Sequence, residues 1–102
     1  MTAMMAESLR KHAEKRMQFA TDRFDSRIRE IDVRLIDANG PRGGVDKICR
    51  VTATLRSGLV VFAEDRQANF FAAINRAAKR LRSLVSKKIA ARRARRNVPN
   101  VE

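Results

Sequence analysis

"RIREIDVRLIDANGPRGGVDKICRVTATLR", Arg27 to Arg56, is the stretch that decides the fold. In its first ten residues Ile31, Val33 and Leu35 fall on one side and Glu30, Asp32 and Arg34 on the other. A period of two with one apolar side is the pattern of a strand buried on one face. The last ten residues repeat it, with Cys49, Val51, Ala53 and Leu55 set against Arg50, Thr52, Thr54 and Arg56. Between the two lies "NGPRGG". Asn39-Gly40 and Gly43-Gly44 reach positive φ at little steric cost, and Pro41 stiffens the path. The stretch therefore reads as two antiparallel strands joined by a firm turn.

Outward from this pair, Ser57-Gly58 makes a second short turn into a third apolar strand, "LVVFAE", which completes an antiparallel meander. Upstream, Met5, Leu9, Ala13, Met17, Ala20 and Phe24 recur at three- and four-residue spacing, which predicts an amphipathic helix from Met4 to about Phe24. Downstream, Asp65 is a candidate N-cap for a long helix whose stripe holds Phe70, Phe71, Ile74, Ala77, Ala78, Leu81, Leu84, Val85 and Ile89. At 100° per residue Arg76, Lys79, Arg80 and Lys87 fall opposite Ile74, with Arg82 and Lys88 nearer the edges of the stripe. The expected class is α+β in the order α-β-β-β-α, with a three-stranded antiparallel meander and two helices packed on one face. One domain spans residues 1–90, and residues 91–102 read as a loose basic tail.

Charge narrows the function. The 102 residues hold 23 Lys and Arg against 11 Asp and Glu, a formal +12. Residues 1–65 are nearly balanced, whereas Arg66 to Val101 carry eleven basic side chains and no acid. A solvated helix face mixes signs. This one keeps a single sign for several turns, as a surface for a polyanion does. Arg42, Lys47 and Arg50 add charge around the first turn, where backbone amides could join a phosphate contact. The strands offer only Phe62 as an aromatic, so recognition should be of phosphate and shape, with little base reading.

No catalytic set is present. His12 and Cys49 are the only residues of their types and stand far apart. His12 reads as the flank of a helical stripe and Cys49 as an inert core thiol. Metal ligands are lacking. The Gly40–Lys47 stretch does not fit G-x-x-x-x-G-K-[ST] and is followed by a strand, so no P-loop is present. The expectations are no enzyme, no cofactor and no small-molecule substrate. A lone cysteine, no leader-like apolar start and no membrane-length apolar run indicate a soluble cytoplasmic protein.

"RFDSRIREIDVRLIDANGPRGGVDKICRVTATL", followed by "FFAAINRAAKRL", resembles the ribosome hibernation-promoting factor and ribosome-associated inhibitor A family. In that family a V-x-L-x-D strand leads into an N-G-P-R-G-G-x-D-K-x-C-R turn, and the last helix opens with a Y-A-A-I-D-like segment. The resemblance covers Arg23 to about Val85. It implies a β-α-β-β-β-α fold and binding to small-subunit rRNA in the channel that messenger and transfer RNAs occupy. Translation is then blocked by occupancy under stress or in stationary phase. Carried onto this chain, the rRNA-facing residues are Arg42, Lys47, Arg50, Arg76, Lys79, Arg80, Lys87 and Lys88, with Lys11 and Lys15 on the first helix. The family's first strand has no counterpart before the helix here, which leaves a strand edge for self-association or a partner strand. Asn75 stands where the family often has Asp. Without the long members' extra C-terminal domain, ribosome pairing by that domain's route is not expected.

Two other readings share these features. A double-stranded-RNA-binding domain has the same element order, but it concentrates Lys at the start of its last helix, where this chain has apolar "FFAAI". A protein-interaction regulator of the sigma-factor-modulating type would use the strand edge instead.

Overall fold

The computed structural model describes residues 6–38 and 45–97, with side chains to residue 92. Helix α1 spans Glu7–Thr21, a 3₁₀ turn Asp22–Arg27, strand β1 Ile28–Asp37, β2 Lys47–Leu55, β3 Val60–Gln67, and helix α2 Phe70–Asn97. The expected α+β order is what the chain adopts. Met4 and Met5, which the periodicity placed in the first helix, lie outside the described residues.

α1 closes earlier than its apolar spacing suggests. The Thr21 hydroxyl donates to the Met17 carbonyl at 2.7 Å, spending a turn's acceptor on a side chain. Beyond it the chain tightens into the 3₁₀ turn, which carries Phe24. The strands pair in the order β1-β2-β3, antiparallel throughout. Val33 faces Val51, Leu35 faces Cys49, and Val51 faces Ala63. A bulge between Ile28 and Glu30 shifts the register at the start of β1. The β2–β3 connection is the four residues Arg56, Ser57, Gly58 and Leu59. Gly58 N–H donates to the Leu55 carbonyl at 2.9 Å, and Gly58 takes the positive φ of 96° that lets the strands rejoin.

The alternation puts Cys49, Val51, Ala53 and Leu55 in one core with Leu35, Val61 and Ala63. α2 covers β2 and β3 with Ala73, Ile74, Ala77, Ala78, Leu81 and Val85, while α1 packs chiefly against α2 through Ala13, Met17 and Ala20. Alanines at the helix contact let the backbones approach closely. His12 Nε2 lies 2.7 Å from Asn75 Oδ1, and its ring meets Phe71 edge-on at 5.1 Å. The lone histidine thus joins the two helices. Between α1 and β1 runs a groove of about 680 Å³, floored by Met17, Ile31 and Val33 and rimmed by Glu14, Asp22 and Asp25.

Asp65 does not cap α2. It lies within β3, paired with Cys49 and buried. The cap is Asn69, whose Oδ1 accepts the Ala72 N–H at 2.8 Å. At its far end α2 runs eight residues past Ile89, through "AARRARRN", to Asn97, the last described residue. Its 28 residues make it about 42 Å long.

Candidate nucleic-acid interface

α2 fixes the main basic surface. Its buried stripe faces the sheet, so Arg76, Lys79 and Arg80, three and four residues apart, must turn to solvent. Lys79, Arg82 and Lys87 line a shallow concavity of about 430 Å³, and Arg23 from the 3₁₀ turn closes it. Ser83 and Ser86 supply hydroxyls there. Among the described residues no carboxylate borders that hollow.

Arg76 and Arg80 are partly committed inside the fold. Asp65 Oδ2 lies 3.4 Å from Arg76 Nε and 3.8 Å from Arg80 Nε, while Asp65 Oδ1 accepts from the Gln67 amide at 3.0 Å. The carboxylate is buried and the two guanidinium groups are mostly exposed. The arginines therefore neutralise a desolvated acid from one side and still present donors to solvent. Burial, followed by the nearby Asp65 charge, pushes the Cys49 thiol up to about 12. The cysteine is an inert core group, and nothing in its setting activates it.

The turn and strand basics prove to be of different kinds. Arg42 lies outside the described residues. Lys47 Nζ sits 3.0 Å from Asp37 Oδ1 and 3.2 Å from Asp46 Oδ1, with only 19% of its side chain exposed. The hydrogen bond to Asp37 holds its ammonium above the ordinary value, against the desolvation that lowers it. It closes the β1–β2 hairpin, where the ladder sets Asp37 opposite Lys47. Asp46 is fully buried, and its backbone carbonyl accepts from Ala38 N–H at 2.9 Å. Arg50 is exposed on the open face of the sheet and donates to Glu64 at 2.6 Å across the β2–β3 ladder. On α1, Lys11 reaches Glu7 at 3.8 Å, and Lys15 is exposed beside Phe19.

Lys88 does not join Lys79 and Lys87. It turns towards the end of the sheet, where it meets Arg27, Arg56 and Arg92. The sequence reading left these three arginines out. Arg27 and Arg56 stand 29 positions apart, and only the Ile28–Leu55 pairing brings them together. No helix among the described residues is long and apolar enough to cross a membrane, and none of them form a group of three or more potential metal ligands.

Comparison with known proteins adds three findings. The family model described as Sigma 54 modulation protein / S30EA ribosomal protein matches residues 4–93. The crystal structure of Thermus thermophilus Protein Y N-terminal domain is similar, with a TM-score of 0.66 and 24% identity over 81% of this chain and 84% of that one. No curated protein matches the sequence.

Proposed function

Because the chain belongs to the Sigma 54 modulation protein / S30EA ribosomal protein family, we propose that it is a ribosome-associated factor that silences translation by occupancy. In this reading it docks on small-subunit rRNA in the channel used by messenger and transfer RNA, under stress or in stationary phase, and catalyses nothing. The observation that carries it is the acid-free hollow of Arg23, Lys79, Arg82 and Lys87, continued along α2 by Arg76 and Arg80. Such a surface binds phosphate without reading bases. Lys47 and Arg50 contribute less, since each already faces a carboxylate.

Co-sedimentation with purified small subunits tests the proposal. The protein should pellet at low salt and be displaced by pre-bound messenger and initiator transfer RNA. With six to ten phosphates engaged, affinity should fall by about 10³ to 10⁵ between 50 and 200 mM salt. Equal binding to plain duplex RNA would reduce the assignment to a general basic RNA-binding protein. Binding that ignores salt and needs no RNA would favour a protein partner.

A further inference from the structure

We propose that the end of the sheet holds a second anion site, separate from the α2 face, which takes the phosphates of an RNA strand or a free nucleotide. The site is a cavity of about 210 Å³ where the 3₁₀ turn, the β2–β3 loop and α2 converge. Among the described residues four cations line it, Arg27, Arg56, Lys88 and Arg92, and no carboxylate does. Several other exposed arginines are relieved by acids, as in Arg10 with Glu14 at 3.3 Å and Arg34 with Asp32 at 3.1 Å. Among the described residues neither Arg27, Lys88 nor Arg92 has such a partner. Lys88 and Arg92 are moreover a like-charged i, i+4 pair, which costs stability unless an anion bridges it.

The cluster is also pre-ordered. Arg56 donates its backbone N–H to the Arg27 carbonyl at 2.9 Å and its Nε–H to the Ser26 carbonyl at 3.1 Å. That anchors the guanidinium at its base and leaves its two terminal NH₂ groups for a ligand. Leu55 and Ile89 form an apolar wall, which strengthens a charge-assisted contact relative to one in open water. The volume has room for one or two phosphate groups. The RNA source rests on the ribosomal reading above, whereas the anion pocket does not.

The test is a titration of the full chain with inorganic pyrophosphate, followed by amide chemical shifts. Saturable shifts at Arg56, Ser57 and Leu59 are expected. The pair Arg27→Gln and Lys88→Gln should weaken binding about tenfold or more, since charge-assisted bonds are removed. The charge-matched control Arg10→Gln with Arg16→Gln on α1 should change it by less than about twofold, because remote charges are screened. Equal loss in both doubles, or shifts confined to Lys79 and Arg82, would overturn the pocket. A nucleoside triphosphate and a short single-stranded RNA, titrated against the same variants, distinguish the two sources by which loses more affinity. Subunit binding is scored separately. Pyrophosphate binding without subunit binding sinks the ribosomal reading alone, and the reverse sinks only the pocket.

Discussion

Cys49 shows how one side chain couples the core to pH. It is fully buried, faces Asp65 across the β2–β3 ladder, and has its thiol pushed up to about 12 from 9.0. A folded-state value above the unfolded one means that the folded protein holds the proton more tightly. Stability is therefore full below about pH 9 and is lost as pH climbs towards 12, by up to about 4 kcal/mol at 1.36 kcal/mol per unit. Lys47, also raised, adds a loss of the same sign that begins only above 10.5. Urea midpoints of the native chain should fall between pH 9 and 10.5, and those of Cys49→Ala should stay nearly level there. Parallel curves would show that the thiol is not the group responsible. Gly58 sets a second residue-scale expectation. Its φ is 96° with open space around it, so Gly58→Ala should cost about 1 kcal/mol through the backbone alone, read as a lower thermal midpoint.

At the scale of elements, the strands were the most legible part of the sequence, because each alternation lies within a few residues of itself. The start of α2 was not. Asp65 and Asn69 are both good caps by residue type, and the choice between them is made by β2, whose pairing runs as far as Lys47 with Gln67 and so keeps Asp65 in the sheet. Asn69→Ala should lower stability by about 1 kcal/mol, measured by thermal unfolding, and a neutral result would deny the cap. The end of α2 was hidden for a different reason. Hydrophobic spacing stops at Ile89, but an Ala- and Arg-rich segment continues the helix on propensity alone. The site divides in the same way. The basic face of α2 follows from periodicity, whereas the carboxylates that occupy Lys47 and Arg50, and the meeting of Arg27 with Arg56, depend on strand register. If the α2 hollow binds rRNA, Lys79→Gln and Lys87→Gln should each reduce the slope of log affinity against log salt by about one. Arg50→Gln should leave it almost unchanged.

For the whole molecule, the net +12 is concentrated on the last third of the chain, so the free protein repels itself. Raising ionic strength from about 0.01 to 0.15 M should increase its thermal midpoint, as the screening length drops from about 30 to 8 Å. An unchanged midpoint would show that the internal ion pairs already balance the field. Opposite trends thus belong to one charge distribution: salt steadies the isolated fold and loosens its hold on a polyanion. The rod of α2 has a further consequence. A helix about 42 Å long beside three strands spaced about 4.8 Å apart gives the body one long axis. Its amide N–H bonds all point along that rod, so in solution they sense the slow end-over-end rotation, while many strand amides sense the faster spin. Spin relaxation should therefore separate α2 from the sheet before any partner is added, and seating on a large particle should erase the difference.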